Sequence, residues 1–320
     1  MKEERFLKID IVPFAEVICQ KRLGVHHVLV HHQGQISAAF HFQPTDRRTE
    51  IHSATKSVVG LAAGMAVDEG LFTLDTHPTD ILSKYIPDSL DPAWRHVTVR
   101  HLLTMSSGHN RKLMDGYSLI PGVVNRDDLE NKDWVNYAFS QSLDLEPGRK
   151  FVYNNSCPHL ISRMITELTG ENLIDWLRPR LFDPLEIHNP QWGTDPLGYT
   201  CGPGGLQLSA EEFSRIIRLY LQQGQWKGNQ LVSGEYMSQA VSRQIENAAS
   251  EKARTDDSTA GYGYFIWRCF RDNAYYLFGW AGQLGIVLPD YEAAVTLTSY
   301  EFQTQSLMDA VWDTIVPQLR

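Results

Sequence analysis

The sequence predicts an α+β sandwich in which both ends of the chain build one antiparallel sheet and a mainly helical region is inserted between them. Three observations lead there. Apolar and polar residues alternate over 25–31 and 36–42 around Gln33-Gly34-Gln35, a hairpin signal near the N-terminus. Strand-like alternation returns only beyond Tyr262, at 264–270, 274–278, 285–288 and 293–299. Between these two sets the apolar spacing is helical, with no internal repeat and no low-complexity linker. The division this implies is a sheet unit from 1–75 plus 206–320 and a helical unit over 76–205, with a site where the two meet.

Taken in order, 11–22 reads as a helix starting near Pro13, and the hairpin follows. Its histidines His26, His27, His31, His32 and His41 invite a metal reading, but successive strand residues point to opposite faces and do not converge. No metal is expected. A helix begins near His52 and runs to Gly70. Residues 97–105 form a short helix closed by Ser106-Ser107-Gly108, and 109–132 is an irregular surface excursion over the site. Short helices are expected at 133–142 and 172–180, and an amphipathic one at 158–168 that stops at Gly170. Gly202-Pro203-Gly204-Gly205 is a tight turn, and Ser209-Ala210-Glu211-Glu212 is a capping-box start for a helix reaching Gln222. A last helix covers 304–319.

Composition narrows the function classes. At 320 residues the chain can bury a substantial core, and 42% hydrophobic with 21% charged residues is ordinary for a globular protein. A net charge of −9 with scattered lysines and arginines excludes a nucleic-acid surface and gives no anionic-membrane patch. Cys19, Cys157, Cys201 and Cys269 are too dispersed for a zinc site or a disulfide framework. Met1 to Phe6 lacks the apolar core of a signal peptide, and no run approaches a membrane span. A reduced, cytoplasmic protein without cofactor is expected.

The helix at 52–69 organises the rest. After Lys56 it is apolar on nearly every side, with small residues at Gly60, Ala62, Ala63 and Gly64, as in a helix buried centrally. Ser53 and Lys56 stand at its entry, three residues apart and so on one face. A buried lysine is costly unless it has a partner or a task. With its pKa lowered by burial, Lys56 can take the Ser53 proton as the hydroxyl attacks a carbonyl. Free N–H groups at the helix start favour the charge that develops.

Two further signals stand in order behind it: Tyr153-Asn154-Asn155, and Gly279-Trp280-Ala281-Gly282-Gln283. With these three, the chain resembles the serine β-lactamase and penicillin-binding-protein superfamily, in its class C-like branch of β-lactamases, D-aminopeptidases and esterases. Residues 97–108, Phe182-Asp183-Pro184-Leu185 and Gly204-Gly205-Leu206 are similar to non-catalytic habits of that family. The resemblance implies a β-lactamase/transpeptidase-like fold. It makes Ser53 the acylated nucleophile, Lys56 its proton partner, and Tyr153 a second base whose phenol is made acidic by ammonium neighbours. It has Asn155 bond substrate or Lys56, and the N–H groups of Ser53 and Gln283 form the oxyanion hole beside Gly282. One departure matters. Trp280 stands where the family usually carries Lys or His, so a cation that would pair with a substrate carboxylate is missing. That resembles the family's esterases and argues against β-lactamase or carboxypeptidase action. The function implied is a serine hydrolase of small esters or amides; a D-amino-acid amidase or linear-amide hydrolase is the alternative, and a non-catalytic binding homologue the third.

Overall fold

Helix α1 (Val12–Lys21) leads into the hairpin β1 (Val25–His32) and β2 (Gln35–His41). The computed structural model describes residues 8–115, 123–129, 132–248, 256–271 and 273–319. The central helix α2 (Thr55–Asp68) follows, then α3 (Ser156–Thr169) and α4 (Ala210–Leu221). Strands β3 (Trp267–Arg268), β4 (Tyr275–Gly279), β5 (Gln283–Leu288) and β6 (Ala293–Ser299) precede α5 (Thr304–Thr314). The six strands form one antiparallel sheet in the order β3-β4-β5-β6-β1-β2. Pairing of β1 with β6 is the step that joins the two ends of the chain.

Alternation along the strands sends side chains to two cores. Tyr276, Leu284, Ile286, Val295 and Val30 pack under α1 and α5. Tyr275, Leu277 and Val287 join the larger cluster around α2, which continues without a seam into Leu102, Leu160 and Phe182 of the helical segment. Twelve residues of α2 are buried, from Thr55 to Ala66, as its all-round apolar sequence requires. The small residues have a specific use. A Cβ on Gly64 would lie 2.6 Å from Tyr236 and Val232, and one on Gly60 3.0 Å from Tyr264 O. The capping box of α4 forms as expected: Ser209 Oγ accepts the Glu212 N–H, and a Glu212 carboxylate oxygen accepts that of Ser209.

Several expected elements are shorter than the pattern suggested, the α-helices of 97–105 and 172–180 covering only Val99–Leu103 and Leu173–Leu177, and two others show why. Of 264–270 only Trp267–Arg268 is strand, because Phe265 turns inward at φ 56° to give its N–H to Leu103 O and accept from Ser57 Oγ on α2. The last helix stops at Thr314, and a tighter turn, Val316–Gln318, follows with Pro317 near its start. The helix Gly234–Val241 and a small sheet of Thr49–Glu50, Leu206–Leu208 and Gln191–Trp192 were not anticipated. Part of the excursion at 109–132 lies outside the described residues. Among the described residues no helix is long and apolar enough to cross a membrane.

Candidate active site

Ser53 lies in a one-turn 3-10 segment, His52–Ala54, that runs straight into α2. The turn is fixed from both sides. The Ile51 N–H donates to Leu206 O (2.9 Å), while Gly279 at the end of β4 packs so closely that a Cβ there would sit 2.0 Å from Ile51 O. One helical turn on, Lys56 Nζ donates to Ser53 Oγ (2.8 Å) and to Pro203 O (2.8 Å). The Pro203 carbonyl is held in place by the glycine turn, since Gly202 is pressed against Pro158 O, where a Cβ would approach to 2.2 Å.

The Lys56 side chain is 2% exposed, and burial pulls its pKa from 10.5 to about 7. The nearby Lys112 and Arg126 push the same way; Cys201 and Asp115 oppose them. An amine near neutrality gives one N–H to Pro203 O and can turn its lone pair to the Ser53 hydroxyl. This is the geometry a general base needs.

Tyr153 covers the pair. Lys56 Nζ stands 4.9 Å from its ring centroid and Lys112 Nζ 5.9 Å, and Trp267 stacks on its ring at 5.8 Å. The segment is set by the Val152 N–H to Met105 O (2.8 Å) and by Asn154, whose side-chain oxygen accepts from Ser156 N at the start of α3. The phenol is not made acidic, contrary to the expectation from its cationic neighbours. Burial pushes its pKa up, the Ser53 side chain offsets only part of that, and Asp115 adds to the rise. Both ammonium groups stand near the ring, and Lys56 is itself driven toward neutrality.

Asn155 is buried; its side-chain N–H groups donate to Met114 O (3.3 Å) and Asp115 Oδ1 (3.1 Å), while its own Oδ1 has no protein partner. Asp115 in turn bonds Lys112. Thus Asn155 holds the 114–115 segment beside Tyr153 and keeps one acceptor uncommitted.

At the third motif the residues separate. Trp280 reaches the nucleophile's turn, with its ring 5.3 Å from that of His52. Gly282 instead faces Leu307, Glu301 O and Ser299, and the Gln283 side chain donates to Ser299 O (2.6 Å) and Ala281 O (3.2 Å). Gly279 rather than Gly282 is the glycine pressed on the Ser53 turn. Sequence reasoning missed Pro203, Lys112, Asp115 and Trp267. The glycines around Pro203 were a signal, but Lys112 and Asp115 lie in an irregular segment with no pattern to place them.

Sheet and central helix, with Ser53, Lys56 and Tyr153 gathered at the start of that helix, make up a β-lactamase-like fold. The chain belongs to the Beta-lactamase family, whose profile matches residues 18–317. It is 28% identical over 164 residues to the lovastatin esterase of Penicillium rubens, covering 47% of this chain and 41% of that relative. It is 23% identical over 238 residues to the 6-aminohexanoate-dimer hydrolase of Paenarthrobacter ureafaciens, covering 71% of this chain and 59% of that one. These matches span only about half the length of the two relatives. Among solved structures, a putative 6-aminohexanoate-dimer hydrolase from Bacillus anthracis superposes with a TM-score of 0.76 at 15% identity, covering 95% of this chain and 81% of that one. EstCE1, a hydrolase with promiscuous acyltransferase activity, does so with a TM-score of 0.74 at 16% identity, covering 94% and 98%.

Proposed function

We propose that the protein is a serine hydrolase that cleaves small uncharged esters through an acyl-enzyme on Ser53. The observation that carries this is Lys56 Nζ at 2.8 Å from Ser53 Oγ, buried and with its pKa brought to about 7. Neutral Lys56 takes the Ser53 proton as Oγ bonds the ester carbonyl carbon. The oxyanion is met by the Ser53 N–H and by a second main-chain N–H at the end of β4. We assign that second donor to Trp280 rather than Gln283, because Gly279 and Trp280 are the residues packed on the Ser53 turn. The carbonyl–alkoxide bond then breaks, and the proton passes from Lys56 through the Tyr153 hydroxyl to the departing oxygen. Tyr153 stays protonated between steps and acts as a relay. Water repeats the sequence in reverse, releasing the acid and returning the proton to Ser53.

The exposed Trp280 supports neutral substrates, since it offers an apolar face and one N–H. Esters are favoured over amides on chemical grounds: an alkoxide leaves without the full protonation an amine demands. A linear amide is the second reading, supported by the relatives named as 6-aminohexanoate-dimer hydrolases. Turnover of p-nitrophenyl acetate and butyrate, lost in Ser53→Ala, is the expected result. No turnover of either, or turnover unchanged in Ser53→Ala, overturns the proposal.

A further inference from the structure

Strand β3 pairs with β4 at Tyr275 and Tyr276, and among the described residues no strand pairs with the outer edge of β4 from Leu277 onward. Beside that edge lies a cavity of about 380 Å³, on the face of the sheet that α5 covers. Its apolar wall is made by Trp267, Tyr276, Phe278, Phe302 and Met308; Asp256, Ser258, Gln303, Gln305 and Thr304 at the start of α5 form a polar side. Tyr276 and Met308 are buried, whereas Phe302 is 57% exposed although it forms part of the wall.

Two of these residues tie the cavity to the nucleophile. Trp267 stacks on Tyr153 at 5.8 Å and 24° between planes. Phe302 meets Trp280 edge to face at 5.0 Å, and Trp280 meets His52, the residue before Ser53, at 5.3 Å. Phe302, Tyr300 and Trp280 are each more than half exposed and touch one another, leaving a continuous aromatic surface between cavity and serine. Large apolar faces left open beside a pocket mark a place where a ligand is bound.

We propose that this cavity is the subsite for the alcohol part of the ester, and that it selects flat, bulky, apolar alcohols. The assignment rests on the proposed hydrolase reading, in which Tyr153 hands its proton to the departing oxygen. The wall residue Trp267 is the one stacked on Tyr153, so the alcohol leaves toward the cavity and stacks on the exposed Phe302, with Trp267, itself stacked by Tyr153 and Tyr276, closing the inner wall. Offset and edge-on aromatic contacts of this kind add to the burial of apolar area. The volume suits a fused bicyclic ring and is far larger than a methyl group requires.

The test compares 1-naphthyl acetate with methyl acetate, which form the same acetyl-enzyme and differ only in the alcohol. Two variants probe the wall: Phe302→Ala, at an exposed position, opens it, and Thr304→Phe, at a half-buried one, fills it. Each is expected to lower kcat/KM for 1-naphthyl acetate about tenfold or more (about 1.4 kcal/mol for tenfold) and to leave methyl acetate within twofold. In parallel, binding of 1-naphthol to the Ser53→Ala protein is followed by tryptophan fluorescence, which needs no turnover. It is expected to weaken similarly when either wall substitution is added. If both esters fall together, if neither falls, or if p-nitrophenyl esters of growing acyl length are the substrates that respond, the alcohol subsite is refuted. If naphthol binds as expected but wild-type protein cleaves no ester, the subsite stands as a binding site and the hydrolase reading fails.

Discussion

Replacing Lys56 tests the proton economy of the site, because its pKa has consequences for both rate and stability. Moving a lysine from 10.5 to about 7 corresponds to roughly 5 kcal/mol acting against the ammonium form. Since neutral Lys56 is the base, kcat/KM on p-nitrophenyl acetate is expected to fall tenfold per unit below about pH 7 and to level off above it. Lys56→Arg keeps the charge but supplies no base, and is expected to cost about 10²–10⁴ in kcat. The stability effect has the opposite sign. A folded-state pKa below the unfolded value means that the unfolded chain binds the extra proton between pH 7 and 10.5. The cost to folding is complete below about pH 7 and fades as pH rises toward 10.5. Lys56→Met removes that cost along with hydrogen bonds to Ser53 and Pro203, worth about 1–1.5 kcal/mol each. A net gain of about 2 kcal/mol is expected near pH 6, seen as a Tm several degrees higher by calorimetry, with the difference shrinking toward pH 10. The reasoning is refuted by a flat rate profile from pH 5 to 9, by Lys56→Arg at near wild-type rate, or by Lys56→Met unfolding earlier than wild type at pH 6.

Three more substitutions probe separate links. Tyr153→Phe removes the relay hydroxyl but keeps the ring on Trp267; kcat is expected to drop about 10²–10³-fold with Tm nearly unchanged. Gly279→Ala must push β4 from Ile51 O, where 2.0 Å is available, and the displaced Ser53 turn is expected to lose about 10²-fold in kcat with 1–3 kcal/mol of stability by urea unfolding. Asp195 lies 3.2 Å from His159 and 3.8 Å from Arg163, all buried, and its Oδ1 accepts the N–H groups of Leu197 and Tyr199. Asp195→Ala is expected to cost about 3–5 kcal/mol in the same urea assay, because it leaves a guanidinium buried without its carboxylate.

Much of the architecture could be read from local pattern because burial imposes it locally. The hairpin β1–β2, the all-round apolar α2 and the Ser209–Glu212 capping box are each dictated by side chains within a few residues. The 264–270 stretch could not be read that way, because the long-range bonds of Phe265 to Leu103 and Ser57 override its alternation. The site divides in the same manner. Ser53 and Lys56 belong to one helical turn, so their contact was legible from spacing alone. Tyr153 was found through family likeness, but the direction of its pKa shift was misjudged: a sequence does not show how far burial outweighs neighbouring cations. The proposed choice of Trp280 over Gln283 as second oxyanion donor rests on three residues of a turn, since only the folded chain shows that Gly279 is the glycine pressed on Ile51.

The most direct measurement is intact-protein mass spectrometry on enzyme quenched in acid during turnover of p-nitrophenyl butyrate. A mass gain of one butyryl group, mapped by peptide digestion to Ser53 and absent from Ser53→Ala, is the predicted result. Turnover with no adduct on any quench, or an acyl group mapped to another side chain, contradicts the account.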